Sequence, residues 1–336
     1  MIITRTPLRI SFAGGGTDLP SFYRKESGAV VSTTINKYVY IFAHPYFDDR
    51  ILLKYSNSEL VNEISQIKMS VFRESLRLYG IDKKIEIGLV ADIPKEGGSG
   101  LGGSTAFSVG LLNALAHHSG NLKSKTELAE QSSDLEINIL GNPIGKQDQY
   151  ASAVGGLNYI QFNPDETVNV DPIYMDPDVL KELDRRLLMF YTGITRKAID
   201  ILAEQQKKAA NEDDKFKAHQ KMRDFAIKLR DQLKSNYIND FGKILHENWL
   251  LKKTLTEGIS SKEIDQWYER ALDSGAEGGK ILGAGGGGFL LFYCPTEKQR
   301  RLRSSLSDLK EYPFKFEPEG TKVILYDQNM QNIKRI

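Results

Sequence analysis

The sequence predicts a chain of mixed helices and strands that divides softly near residues 165 to 185, and three observations carry this. The first part alternates like a sheet, residues 196 to 275 repeat at helical spacing, and the end returns to strands around a glycine turn. The 336 residues, 40% hydrophobic and 26% charged, suffice for one large or two ordinary globular domains with proper cores.

Element by element, "IITRTPLRISF", "GAVVSTTINKYVYIFAHPYF" and "RILLKYS" are rich in β-branched and aromatic residues and broken by Gly, Pro and Asp, so they read as paired strands. Residues 59 to 80, "ELVNEISQIKMSVFRESLRLYG", place Leu60, Ile64, Ile67, Val71 and Leu78 near helical spacing and predict a helix capped by Gly80. "KIEIGLVADIP" returns to alternation. After it the glycine-rich loop "PKEGGSGLGGSTAF" leads into the small and apolar run "STAFSVGLLNALAHHSG", which predicts a buried helix. "KTELAEQSSDLEINILGNPIGKQDQYASAVGG" reads as a helix, a turn at Gly141-Asn142-Pro143, and a second short helix from near Lys146. "GGLNYIQFN" and "TVNVDPIYM" are strands. The polar, proline-containing "PDETVNVDPIYMDPDVLKEL" is the boundary, and "RRLLMFYTG", "KILGAGGGGFLLFYCP" and "KVILYD" supply later strands.

Composition excludes several classes. Lysine plus arginine (45) nearly cancels aspartate plus glutamate (44), so no global field recruits nucleic acid or an anionic membrane. The lysine-rich stretch from Arg196 to Asp224 interleaves acidic residues and has few aromatics, the pattern of a solvated helix face. The single cysteine, Cys294, excludes an internal disulfide. His44, His117, His118, His219 and His246 show no zinc spacing, so no structural metal is expected. The start "MIITRTPLRISF" has no signal-peptide pattern and no segment approaches roughly 20 apolar residues, so the expected address is the cytoplasm.

Three motifs carry chemistry. "GSGLGG", Gly98 to Gly103, fits G-x-G-x-x-G, as does "GAGGGG", Gly283 to Gly288, but neither has a dinucleotide fold's context, and no Walker or protein-kinase signature is present. Free N–H groups before an apolar helix make an anion site suited to phosphate. Ser104 and Thr105 either cap that helix or turn a hydroxyl toward a phosphate-bound magnesium ion. In "LEINILGNPIGKQDQ", Glu136 and Asp148 are either ordinary helix-face and first-turn acids or, beside a phosphate loop, the two carboxylates that phosphoryl transfer needs. In "TPLRISFAGGGTDLPSFY", Arg9 and Asp18 flank a triple glycine, which forms either a plain turn or a grip on sugar hydroxyls.

These motifs in this order resemble the GHMP kinase superfamily. "PKEGGSGLGGSTAF" is similar to its phosphate loop, "PLRISFAGGGTD" to its N-terminal substrate motif, and "KILGAGGGGFLL" to its C-terminal glycine motif. The resemblance implies an α+β fold of two domains: a ribosomal-protein-like α/β domain over residues 1–170 and a ferredoxin-like domain over 171–336, with ATP and acceptor between them. It implies that ATP lies on Gly97, Gly98, Ser99, Gly100, Leu101, Gly102, Gly103, Ser104 and Thr105, and that Ser104 and Glu136 hold Mg2+. By the same resemblance Asp148 is the catalytic aspartate, Arg9 the basic residue that stabilises the transferring phosphoryl group, and Gly15, Gly16, Thr17 and Asp18 the acceptor loop. Gly103 replaces the first serine of the family's usual pair. Gly15 and Gly16 replace the acidic residue and histidine that contact galactose in galactokinases, so galactose is disfavoured.

Within the superfamily, "RTPLRISFAGGGTDLPSFY" with "GAVVSTTINKYVYI" is most similar to the bacterial D-glycero-D-manno-heptose 7-phosphate kinases and the fucokinase-type sugar 1-kinases. That likeness implies phosphorylation of the anomeric hydroxyl of a heptose 7-phosphate by a monomer or homodimer, with no nucleic-acid or membrane partner. The acceptor's own phosphate then needs a cation, for which "YTGITRKAID" offers Thr195, Arg196 and Lys197, with Arg196 the preferred contact. Competing readings are a sugar 1-kinase for an unphosphorylated sugar, a mevalonate-pathway kinase, and a silent sugar and ATP sensor, against which Ser104, Glu136 and Asp148 together argue.

Overall fold

In a computed structural model, which describes residues 1–93, 99–195 and 198–327, the chain opens with strand β1 (Ile2–Ala13), a single helical turn α1 (Pro20–Tyr23) and the long strand β2 (Gly28–Pro45). Then come β3 (Ile51–Lys54), β4 (Ser58–Val61), α2 (Ser70–Leu78), β5 (Ile85–Ala91) and α3 (Gly103–Ser119). Helix α4 (Lys125–Ser133) runs on into a π-helical turn, Asp134–Ile139, before α5 (Gln147–Val154) and the hairpin β6 (Leu157–Phe162) and β7 (Val168–Pro172). The second half holds α6 (Pro177–Arg186), β8 (Leu187–Tyr191), α7 (Ala198–Asn211), α8 (Asp213–Lys234), α9 (Phe241–Lys253), α10 (Lys262–Asp273), β9 (Gly278–Ile281) and β10 (Phe289–Tyr293). It ends in α11 (Gln299–Ser305), β11 (Lys310–Glu311), β12 (Phe316–Glu317) and β13 (Lys322–Tyr326).

The strands form two sheets. Nine lie in the first, ordered β13-β1-β2-β5-β3-β4, with β12 and β6 on the remainder of β2 and β7 on β6; only β3 and β5 run parallel. β2 is long enough to pair β1 along its length and β5 and β6 at opposite ends of its other edge. Across this sheet lies α3, buried nearly all round, because its small and apolar residues offer no polar face. Each large aliphatic side chain buried there contributes about 1.5–3 kcal/mol. The second sheet, ordered β11-β8-β10-β9, is antiparallel, and its strands follow one another as strand, helices, two strands, helix, strand. That is the expected ferredoxin-like arrangement of an α+β fold.

Two expectations need correction. The helix over residues 59–80 forms only from Ser70, since Ser58–Val61 pairs with β3, Leu52 opposite Leu60, and Ile64–Gln66 is a 3₁₀ turn. Glu59 fixes that break by accepting from the backbone N–H of Lys68 (2.7 Å) and the hydroxyl of Tyr55 (2.6 Å). The cut between residues 170 and 171 falls inside β7, and the first sheet reclaims the chain's end, with β12 pairing β2 and β13 pairing β1.

Candidate active site

A cleft of roughly 350 Å³ lies between the two halves and gathers residues from β1, the turn after it, the start of α3, the π-helical turn, α5, α9 and β9. At its centre Arg9 and Asp148 form a two-pronged ion pair: Nε donates to Oδ1 and Nη2 to Oδ2, both at 2.7 Å, while Nη1 donates to the carbonyl of Gly100 at 2.6 Å. Arg9 is buried and Asp148 is about one-fifth exposed, facing the cleft. The two-pronged geometry fixes the direction in which the Asp148 carboxylate points.

One side of the pair is the phosphate loop. Gly102, at φ +74°, is the N-cap residue of α3, and no side chain caps that end. A Cβ on Gly102 would stand 3.3 Å from both Arg9 Cγ and Asp148 Oδ2, so bare backbone passes directly over the ion pair. Gly103, Ser104 and Thr105 continue the wall, with Ser104 exposed to the cleft. The result is a helix start whose N–H dipoles face the cavity. Thr105 donates its hydroxyl to Glu136 Oε2 at 3.2 Å, and Gln149 Nε2 donates to the same oxygen at 2.7 Å. Burial raises Glu136 to about 7, with the charge of Asp148 adding to the rise and the two hydrogen bonds opposing it. The π turn presents this carboxylate inward, a use for which such turns are known.

On the other side is the acceptor loop. Gly15 and Gly16 give a wall without side chains, and Asp18 is buried beside them. Its carboxylate accepts from the N–H of Gly16 (2.9 Å) and from the backbone N and Nε2 of Gln147, each 3.3 Å. Burial raises its pKa, the charge of Asp148 also raises it, and the backbone donors oppose both. The turn after the π helix thus delivers Gln147 to Asp18 and Asp148 to Arg9 from adjacent positions of one helix start.

The second half contributes two lysines that the sequence did not single out. Lys280, buried on β9, donates to the carbonyls of Ser11 (2.7 Å) and Phe12 (3.1 Å), tying the two halves together. Burial drives it well below the ordinary lysine range, with the charges of Lys252 and Arg9 adding to the effect. Lys252, buried at the end of α9, donates to the carbonyl of Gly283, and burial, then Arg9, lowers it to about 8 against the pull of Asp18 and Asp148. Lys280 opens "KILGAGGGG", one signal that could have marked it; Lys252 sits three residues after the buried Trp249, on the face of α9 turned inward.

Most sequence-derived positions therefore meet in one cleft: Arg9, Asp148, Ser104, Glu136 and Asp18 with Gly15, Gly16, Gly100, Gly102 and Gly103. Two do not present a side chain there. Thr17 spends its hydroxyl on the carbonyls of Gly14 (2.8 Å) and Ala29 (3.0 Å), holding the loop's shape, and its N–H on Gly14. Leu101 is in the core, its N–H taken by Ser99 Oγ and its carbonyl by the N–H of Arg9. Gly97, Gly98, Arg196 and Lys197 lie outside the described residues, and Thr195 is exposed. Cys294 is buried just past the end of β10, its thiol raised by burial to about 11. No described helix is long and apolar enough to cross a membrane.

Comparison with known proteins gives this geometry a context. Residues 64–156 match the GHMP kinases N terminal domain and residues 229–310 the GHMP kinases C terminal domain. The chain is 32% identical to D-glycero-alpha-D-manno-heptose 7-phosphate kinase of Campylobacter jejuni subsp. jejuni, covering 96% of this chain and 98% of that one. It is 27% identical to L-fucokinase/L-fucose-1-P guanylyltransferase of Bacteroides fragilis over 90% of this chain and 36% of that protein. Among solved structures, a D-glycero-D-manno-heptose 1-phosphate kinase from Bacteroides thetaiotaomicron superposes with a TM-score of 0.79 at 25% identity, covering 97% of this chain and all of that one.

Proposed function

The chain belongs to the GHMP kinase family of ATP-dependent phosphotransferases, and we propose that its acceptor is D-glycero-D-manno-heptose 7-phosphate, phosphorylated at the anomeric hydroxyl. The observation that carries the catalytic part is the Arg9–Asp148 fork lying between the phosphate loop at Gly102 and the acceptor loop at Asp18. A hydroxyl held by Asp18 then stands between Asp148 and the bound nucleotide's phosphates.

The reaction needs little covalent help from the protein. The acceptor oxygen forms a bond to the γ-phosphorus as the bond from that phosphorus to the oxygen of ADP breaks. Asp148, each of whose oxygens has a lone pair beyond the one given to Arg9, orients the hydroxyl and takes its proton. Arg9 offsets charge on the transferring group, and the N–H groups at the start of α3 hold the phosphates. Glu136 and the exposed Ser104 suit Mg2+: among the described residues no cation pairs with Glu136, and a carboxylate kept near 7 by burial is the group a hard cation would satisfy. When bound, that ion supplies charge neutralisation to the phosphates. Arg196 is kept as the proposed contact for the acceptor's own phosphate.

The likeness to the Campylobacter heptose kinase over nearly its whole length supports the heptose; the likeness to the Bacteroides fucokinase supports a second reading, an unphosphorylated sugar. ADP release with Mg-ATP across heptose 7-phosphate, mannose, fucose, galactose and mevalonate separates them. Heptose 7-phosphate should exceed the other acceptors in kcat/KM by about 10⁴-fold if the site is built around its polar groups. Preferential turnover of fucose or mannose would overturn the heptose and keep the catalytic fork.

A further inference from the structure

The cleft's cations do not have equivalent partners. Arg9 is charge-paired with Asp148 and also donates to the carbonyl of Gly100, and Lys280 gives two of its three donors to carbonyls at the end of β1. Among the described residues Lys252 has one hydrogen-bond partner, the carbonyl of Gly283, which leaves two N–H donors of its ammonium. It is only 5% exposed, borders the cleft, and has no carboxylate at ion-pair distance among the described residues. Holding a lysine head out of water beside one carbonyl is costly, and a neutral donor would serve that carbonyl equally well. Such a placement suits an anion that comes and goes.

Position says which anion. Gly283 packs on the phosphate loop so closely that a Cβ on it would stand 2.4 Å from Gly100 Cα, while one on Gly100 would stand 2.2 Å from the carbonyl oxygen of Leu282. The ammonium of Lys252 is thus anchored to backbone that touches the loop holding the nucleotide phosphates, and the carbonyl of that same Gly100 receives Arg9. We propose that Lys252 is a catalytic residue: it reaches across the cleft from the second half to bind the transferring phosphoryl group, opposite Arg9. The inference rests on the kinase reading of this cleft and not on the identity of the acceptor.

Charged and titratable groups face Lys252 from every side: Arg9 on β1, Asp18 on the acceptor loop, Asp148 on α5, His219 on α8 and Lys280 on β9. Their balance leaves it mostly protonated at neutral pH, and an arriving phosphoryl group strengthens that form. Because kcat/KM reports the free enzyme, its alkaline limb should fall as pH rises through about 8.

The test uses Lys252→Met and Lys252→Arg in the full chain with whichever acceptor the wild type turns over fastest. Lys252→Met should lower kcat by roughly 100-fold or more and change both KM values by less than about threefold, as expected for a contact made only in the transition state. Lys252→Arg should recover part of the rate and carry the alkaline limb to higher pH. Calorimetry with ADP, aluminium fluoride and acceptor should show Lys252→Met losing affinity for that mimic by a similar factor while affinity for ADP alone holds. A raised acceptor KM at unchanged kcat would overturn the proposal, assigning Lys252 to the acceptor instead; unchanged values of both would reduce it to a prop for Gly283. Should the Met variant fail to fold, a wild-type kcat/KM without a fall below about pH 9.5 would also overturn it. Acceptor ranking is read on the wild type alone, so loss of the heptose assignment and loss of Lys252's role are separate results.

Discussion

The two walls of the cleft handle charge differently. On the first-half wall each charged group is answered within the protein: Arg9 by Asp148, Asp18 by the N–H groups of Gly16 and Gln147, and, farther out, Lys146 by Glu166. On the second-half wall Lys252 and Lys280 rest on backbone carbonyls. A wall that answers its own charges keeps its geometry with or without ligand, whereas a wall of lysines on neutral partners gains most when an anion arrives. The difference teaches that orientation is built into one wall and charge neutralisation is reserved on the other.

The sharpest way to break this contrast is to remove the answering charge. Asp148→Asn leaves a side chain of the same shape but frees Arg9, so the first wall acquires an uncompensated cation like its neighbour. Phosphoryl transfer should fall by roughly 10²- to 10⁴-fold, the range of general base contributions, while the affinity for ATP holds or tightens. Turnover measured beside calorimetric ATP binding checks both halves; near-normal turnover would remove Asp148 from the mechanism.

Glu136 gives a second and smaller effect, because among the described residues it is answered, like Asp18, by neutral donors and not by a cation. Its folded pKa, about 7, stands above the ordinary 4.5, so the fold favours the neutral form. The associated stability is fully present below pH 4.5 and is lost as pH rises through 7; the gap corresponds to at most about 3 kcal/mol. The melting temperature of metal-free protein should therefore drop between pH 5 and 8. Glu136→Gln should flatten that slope, and Mg2+ with ADP should restore wild-type stability at pH 8. In Glu136→Gln the metal affinity should weaken on the order of 100-fold. An equal slope in both proteins would show that the carboxylate is satisfied without a metal.

Much of the first wall was legible in the sequence, and little of the second. Arg9, Asp18, Asp148 and the phosphate loop lie within short glycine-punctuated stretches, where local backbone demands announce themselves. Lys252 and Lys280 sit in an amphipathic helix and a short strand, where a lysine looks like any surface cation until the packing of α9 and β9 against β1 is known. The same distinction governs the fold. The alternation of β1 and β2 fixed them as strands, but residues 58–61 followed long-range pairing with β3 over a locally helical pattern, and β12 and β13 join the first sheet by contacts more than 280 residues apart in the chain for β13. Thr17 and Leu101 are likewise bound by partners, Ala29 and Arg9, that no local pattern reveals.

The smallest effect belongs to the outer end of the first wall. Glu166, at the turn between β6 and β7, accepts from the hydroxyl of Tyr23 and Nε of Arg24, both at 2.7 Å, and pairs with Lys146, the residue before α5. Burial pulls its pKa up, but hydrogen bonds from Lys146, Arg24 and Tyr23 outweigh it and hold the carboxyl at about 2. Its contribution is present above pH 4.5 and lost as pH falls through 2. With its side chain 45% exposed, water screens most of that gain, and about 1 kcal/mol or less is expected. Glu166→Gln should lower stability by that amount at pH 7 and hardly at all at pH 2. Because Lys146 precedes Gln147 and Asp148, acceptor KM should rise by a factor of about 2 to 5, the kinetic equivalent of the same energy, with kcat held. A stability loss without any change in KM would mean that the paired charges of this wall fix the fold at its rim but do not reach the acceptor loop.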